Sequence, residues 1–133
     1  MLLPALAASS ARAQTAALAK LPSKGFRFAD LPVKHNGQNA SRAIMNGLTH
    51  TGMALEVHET DLAPGAAPHP PHHHVHEEMV IVVEGTIEFT VNGVSTRLGP
   101  GSLAYAASSD EHGQRNVGDT IARYVVVAIG RDT

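Results

Sequence analysis

Cysteine is absent from the 133 residues, which excludes a disulfide framework, a thiolate zinc site and a cysteine nucleophile. Tryptophan is absent too, and the rings are few: Tyr105, Tyr124, Phe26, Phe28 and Phe89. Aromatic stacking is therefore a poor basis for the main function. A basic excess is also lacking. Ten Lys and Arg against twelve Asp and Glu give −2 with histidine neutral, so the cationic footprint of a nucleic-acid binder is missing. No apolar run reaches the ~20 residues that a bilayer-crossing helix needs. No glycine loop follows a strand and opens a helix, as phosphate binding would require. Ser108 and Ser109 lie near His112 but have no orienting acid, which argues against a serine hydrolase. What the chain has in excess is histidine. There are nine, and five of them (His69, His72, His73, His74 and His76) fall within eight positions. The length suits one domain with one core.

Met1 to Lys20, MLLPALAASSARAQTAALAK, reads apart from the rest. Leu2 to Ala8 is similar to the apolar stretch of a secretory signal, and Ala11-Arg12-Ala13 before Gln14 fits a small-x-small cleavage site. The basic leader that should precede it is missing, so an amphipathic alanine-rich helix is the other reading. We expect residues 1–20 to be a signal remnant or flexible segment and 21–133 to form one barrel. Cleavage would make the protein exported, to a periplasm; the alternative is cytoplasmic.

From Gly25 onward the apolar period is two, with breaks every 8–12 residues, the pattern of an all-β sandwich or barrel. In Met53 to Thr60, Met53, Leu55 and Val57 share one face, and Glu56, His58 and Thr60 share the other. Glu78 to Val83 and Arg123 to Ile129 are apolar on both faces and should be covered on both sides. Ile87, Phe89 and Val91 alternate with Glu88 and Thr90, and Asn92-Gly93 follows, a strong signal for a type I′ hairpin. The return strand is Val94 to Leu98. Ser102 to Ala106 and Ile121 to Ile129 complete the set. A small antiparallel jelly-roll barrel fits best.

On an extended strand His72 and His74 share a face, ~6.6 Å apart along the chain. Two imidazoles at that spacing can converge on one ion with bonds of ~2.0–2.1 Å. Glu78 has the same parity, but a straight strand from His72 would put it ~20 Å away. Either a bend near Val75–Glu77 returns it, or it is not a ligand. A further ligand should come from an adjacent strand, where His112 is the only downstream histidine and Asp110 and Glu111 compete. The bland alternative is a surface tract with adventitious metal affinity.

Gly65, His72, His74, Glu78 and Gly85 closely resemble the first motif of the cupin superfamily: a glycine, H-x-H, three residues, a glutamate, six residues and a glycine. Six residues rather than the usual five separate Gly65 from His72. Gly101, His112 and Asn116 resemble the second motif, with Ala107 and Ser109 where the family has proline and glycine. The match runs over roughly residues 62 to 130 and is that of a small single-domain cupin of the conserved-barrel type. The resemblance implies a double-stranded β-helix barrel with one metal held by His72, His74, Glu78 and His112. It also leaves His76 as a loop residue or a support for the ligands, with His69 and His73 at the mouth. A one-place register alternative pairs His74 with His76.

Three imidazoles and one carboxylate suit divalent iron, manganese, nickel, zinc or copper. A redox-active ion implies dioxygenase chemistry on an enol, phenol or diketone. Zinc or nickel implies isomerase, lyase or cyclase chemistry. The alternative is a non-catalytic module that binds a small acid or sugar through its metal. Glu56, His58, Tyr105, Arg123, Gln114 and Arg115 are candidates for the pocket wall or rim, against an exposed barrel face as the plainer reading. The expected partner is a small molecule, with no nucleic acid and no membrane. Two strands apolar on both faces exceed the needs of one small interior, so a homodimer is expected, with Lys20 to Val33 a possible added edge.

Overall fold

The alternating segments form nine strands in the computed structural model, which describes residues 18–131. They are β1 (Val33–Asn36), β2 (Asn39–Leu48), β3 (Ala54–Leu62), β4 (Glu77–Glu84), β5 (Ile87–Val91), β6 (Val94–Leu98), β7 (Leu103–Ala106), β8 (His112–Asn116) and β9 (Ala122–Ile129). One sheet has the order β1-β2-β3-β9-β4-β7 and the other β6-β5-β8, every pairing antiparallel. No α-helix occurs among the described residues, and a single 3₁₀ turn spans Phe28–Asp30. The architecture is an all-β jelly-roll barrel, as the alternation and the resemblance led us to expect.

Two turns show how local chemistry sets the register. Asn92 and Gly93 take φ of +46° and +81°, the positive values of a type I′ turn, and β5 pairs with β6 from Val91↔Val94 outward. Gly85 turns β4 toward β5 at φ +75°, and a Cβ there would stand 2.8 Å from Ala122 Cα. Only glycine fits that approach.

The core lies between the sheets at one end of the barrel. Leu62, Val80, Val82, Ile87, Phe89, Ala122, Tyr124 and Val126 are buried there. A fully buried valine or leucine contributes roughly 1.5–3 kcal/mol. Toward the other end the same strands turn polar side chains inward. Along β4 the inward positions run Glu78, Val80, Val82, and along β8 they run His112, Gln114, Asn116, all six buried. The fold thus places a polar cavity beyond an apolar plug.

The face of β3 that points inward is the polar one. Glu56, His58, Thr60 and Leu62 line the interior cavities, whereas Glu59 and Asp61 lie on the outer face of the large sheet. There Arg42 Nη1 donates to Glu59 and Asp61 at 2.7 and 2.9 Å, and Arg123 Nε donates to Asp61 at 2.7 Å. Phe28 covers this network, with both guanidinium carbons 4.4–4.6 Å from its ring centroid. Residues 19–21 hydrogen-bond alongside Leu48 at the end of β2, forming a parallel bridge at Lys20. The expected signal remnant falls, for residues 1–17, outside the described residues.

Candidate metal centre

His72 is held against His112 by two backbone bonds, N–H to O distances 3.0 and 2.8 Å, in an isolated antiparallel bridge. The chain then bends at Val75–His76 before β4 begins. That bend supplies the reversal a straight strand lacks and brings Glu78 beside His74. From the far side, Ser109 donates its N–H to the His74 carbonyl at 2.8 Å, so the turn before β8 is tied to the histidine tract. Ser109 has φ +67°. It takes a left-handed backbone, the conformation that suits glycine, at the position where the resembled motif has one.

The donor atoms of His72, His74, Glu78 and His112 all lie within 4.8 Å of one another. His74 Nδ1–H donates to the His76 carbonyl at 2.8 Å and His112 Nδ1–H to the Asp110 carbonyl at 2.9 Å. A carbonyl only accepts, so each neutral ring carries its proton on Nδ1 and its lone pair on Nε2. Those Nε2 atoms face Glu78 Oε2 at 2.9 and 3.0 Å. His72 Nε2 is buried with no hydrogen-bond partner. Acceptors aimed at an acceptor repel in a buried site, and a cation among them reverses the sign. Two donors on one ion at ~2.1 Å and roughly 90° stand ~3.0 Å apart, which matches the spacings at Glu78. The residues present therefore fit a divalent ion.

The electrostatics of the cluster likewise favour an anionic Glu78 beside positive charge. Burial pushes the Glu78 carboxyl up, but the contacts of His112 and His74 outweigh it and hold the group below the usual carboxylate range. Burial pulls His72 below the usual histidine value, and repulsion from His69, His112 and His74 adds to this. The two trends favour an anionic Glu78 and a neutral His72, the forms in which these groups ligate.

The remaining clustered histidines surround the donors. His76 stacks on His74 with centroids 3.5 Å apart, and His69 stacks on His72 at 3.9 Å. His73 is exposed. His72 supplies the nitrogen that converges with His74, Glu78 and His112, while His76 stacks on the His74 ring and lines the same cavity.

Among the other candidates, Glu56, His58 and Gln114 line the cavity of ≈ 500 Å³ in front of the donors. His58 Nδ1–H donates to Glu56 Oε1 at 2.8 Å. Gln114 Nε2 donates to the Tyr124 hydroxyl at 3.3 Å, while its Oε1 is buried without a partner. Burial pushes the Tyr124 hydroxyl up to about 12, so it stays neutral in the core behind Gln114. Arg123 and Tyr105 leave the list of wall candidates: Arg123 belongs to the outer network, and Tyr105 is half exposed on β7. Arg115 points to solvent and donates to the Gly65 carbonyl at 3.1 Å. Asn46 also lines the cavity, and nothing in the sequence pattern singled it out. It lies on β2, a strand whose alternation is broken by a bulge between Ala43 and Met45.

A jelly-roll barrel with three histidines and a glutamate converging inside it defines a class, and comparison with known proteins agrees. The family model described as "Cupin domain" matches residues 58–128, more than half of the chain. The protein belongs to the cupin family. Among solved structures, KdgF from Halomonas sp. is similar at 19% identity and a TM-score of 0.70, over 81% of this chain and 95% of that one. An RmlC-like cupin from Shewanella frigidimarina is similar at 20% identity and TM-score 0.67, over 84% and 93%. A predicted oxalate decarboxylase from Thermotoga maritima is similar at 18% identity and TM-score 0.66, over 81% and 100%. At such identities the likeness is one of fold. No functionally curated protein matches the sequence significantly.

Proposed function

We propose that the protein is a mononuclear-metal enzyme acting on a small, oxygen-bearing molecule. His72, His74, Glu78 and His112 hold one divalent ion from the set iron, manganese, nickel, zinc and copper. A bound ion supplies Lewis-acid polarisation, or oxygen activation where the metal is redox-active. The observation that carries the reading is the set of lone pairs pinned toward one point, with His72 Nε2 otherwise unpaired in a buried site. The chain's own residues do the rest. Val126 and Ala128 give the cavity an apolar floor, and Gln114 adds a polar side chain to its lining.

One feature favours a second reading, a binding module for a small acid or sugar. An adjoining cavity of ≈ 470 Å³ is lined by Lys34, Asn36, Asn39 and Ser41, side chains suited to hydroxyls or a carboxylate. Turnover of any chelating substrate separates the two. The apolar outer face, with Val83, Leu103 and Tyr105 each about half exposed, we take to meet a second copy, the two-fold dimer being the commonest assembly. A monomer in light scattering at micromolar concentration would remove that part.

The test of the main reading is metal analysis of protein purified without a histidine tag or nickel column. About one transition-metal ion per chain is expected, falling well below that in His112→Ala. A metal-free wild type, or unchanged metal content in the variant, would overturn the site.

A further inference from the structure

The donor cavity contains one titratable pair that the ligand set does not use. Glu56 and His58 lie two residues apart on β3 and face inward together, lining both the donor cavity and the cavity beside it. Strand register fixes where they stand. Glu56 pairs with Ala128, which pairs with Glu78, and His58 pairs with Val126, which pairs with Val80. Two strand spacings, ~10 Å, therefore separate the β3 pair from the donor strand. The inward side chains between them are only alanine and valine, which leaves room for a ligand spanning the gap.

The tautomer follows from the partners. His58 Nδ1 lies 2.8 and 3.0 Å from the two oxygens of Glu56. A carboxylate only accepts, so Nδ1 carries the proton and neutral His58 presents an unprotonated Nε2 to the cavity. Among the described residues the hydrogen bonds of the ring are those of Nδ1 to Glu56. A base with one nitrogen oriented by a carboxylate and the other free is the arrangement that proton abstraction requires.

Resting on the metal-centre reading, we propose that His58 is the general base of this pocket, positioned by Glu56, and that the substrate is a carbon acid: a small 2-oxo acid or 2-hydroxy ketone. Its oxygens face the donor cluster and its C–H faces His58 Nε2. In the step the C–H bond breaks and its electron pair stays on the substrate as the enolate. An N–H bond forms on His58, and Glu56 balances the charge of the imidazolium. The imidazolium trades its proton with solvent, and return of a solvent-derived proton to the same carbon gives exchange. Delivered to the neighbouring carbon of a 2-hydroxy ketone's enediolate, with the hydroxyl proton passing from one oxygen to the other, it gives an isomer. No oxidant is consumed. This places the chemistry with isomerases and lyases rather than oxygenases.

The charges around His58 support the role. On β3 itself Glu56 is in contact and Glu59 lies on the opposite face, and Glu78 faces the cavity from β4. Lys34 and His35 of β1 line the adjoining cavity. β2 contributes Ala43 and Asn46, and β9 contributes Val126 and Ala128, none of them titratable. Burial pulls His58 down, but the hydrogen bond and charge of Glu56, with Glu78 and Glu59 behind it, leave it above the usual histidine value.

The test uses full-length protein carrying the metal it retains, with pyruvate and hydroxyacetone as probes in deuterated buffer. Proton NMR reads loss of the carbon-bound signal. Wild type is expected to accelerate exchange of at least one probe over protein-free buffer. His58→Gln should lower that rate about 10²-fold with metal content unchanged. Glu56→Gln should lower it less and move the acidic limb of the pH–rate profile to lower pH. The His58 ring signal, titrated directly, should move the same way in Glu56→Gln, a readout independent of turnover. Metal-loaded wild type that labels neither probe, or His58→Gln that labels as fast as wild type, overturns the proposal. Wild type lacking metal removes instead the reading on which it rests.

Discussion

Ser109 is a serine in a backbone conformation that suits glycine. A left-handed φ costs an L-residue roughly 1–2 kcal/mol, and φ here is +67°. The strain is held because the Ser109 N–H binds the His74 carbonyl. Ser109→Gly should relieve it, less roughly 0.4–1 kcal/mol for the greater freedom of glycine in the unfolded chain. A net gain of about 0.5 kcal/mol is expected in urea unfolding, with metal content unchanged. Glu59 carries a different strain. Its carboxyl is buried under Phe28, and burial first, then the neighbouring Asp61, push it up to about 7 against the pull of Arg42. Burial acts upward on Asp61 as well, but Arg123, Glu59 and Arg42 together hold it well below the carboxylate range. A raised native-state value means that the stability from protonated Glu59 is full below its ordinary 4.5 and is lost as pH rises through about 7. Wild type should lose on the order of 1–3 kcal/mol more than Glu59→Gln between pH ~5 and pH ~8, read from urea midpoints. Parallel pH dependences would refute the assignment.

At the level of elements, the strands that were legible are those whose alternation separates core from solvent. β5 and β6 run as the Asn-Gly hairpin predicts; β4 and β9 are covered on their inner side by the core, whereas their outer side, expected to be covered as well, is only partly buried and leaves Val83 exposed. Three strands escaped, β1, β2 and β8, and in β8 the reason is a polar interior. β8 reads His-Gly-Gln-Arg-Asn, with no apolar residue, yet three of its side chains are buried. Each finds partners that hydropathy does not record. β3 shows the same inversion: its apolar Leu55 and Val57 face outward, because its inner face borders a cavity rather than the core. Parity cannot be read from hydropathy when the inside is wet. The four candidate donors were legible for another reason, since their spacing resembled a family pattern. Asn46 had no such aid. Asn116 joins elements directly. Fully buried, it donates to the carbonyls of Leu62 and Thr120 at 2.9 and 2.8 Å and accepts from Gly118 N–H at 2.9 Å. The end of β3 is thereby fastened to the turn between β8 and β9. Asn116→Ala should orphan these groups and destabilise by about 2–4 kcal/mol. Retention of wild-type thermal stability would show that water takes over the three bonds.

The whole molecule has two sheets, and the donor cluster is where they are joined at the open end. Glu78 comes from the large sheet, His112 from the small one, and His72 and His74 from the segment between β3 and β4 that bridges to β8. At the other end of the barrel the apolar core does the joining. Here it is three histidines and a carboxylate, with Phe89 packed alongside His112 at 6.1 Å between ring centroids. On the proposed metal-centre reading the acceptors at this seam repel without an ion, so binding and closure of the barrel would be coupled. An ion that binds only the native state at 100 times its Kd contributes about 2.7 kcal/mol. In a domain of this size each kcal/mol moves Tm by roughly 3–5 °C. Removing the ion with a chelator should therefore lower Tm by about 10 °C, and adding back the native metal should restore it. His112→Ala separates this coupling from a general effect of the chelator. That variant lacks the small sheet's only donor to the cluster, so its Tm should start lower and respond little to chelation. Equal chelator shifts in variant and wild type would mean that any ion sits elsewhere, and that the seam is closed by the protein alone.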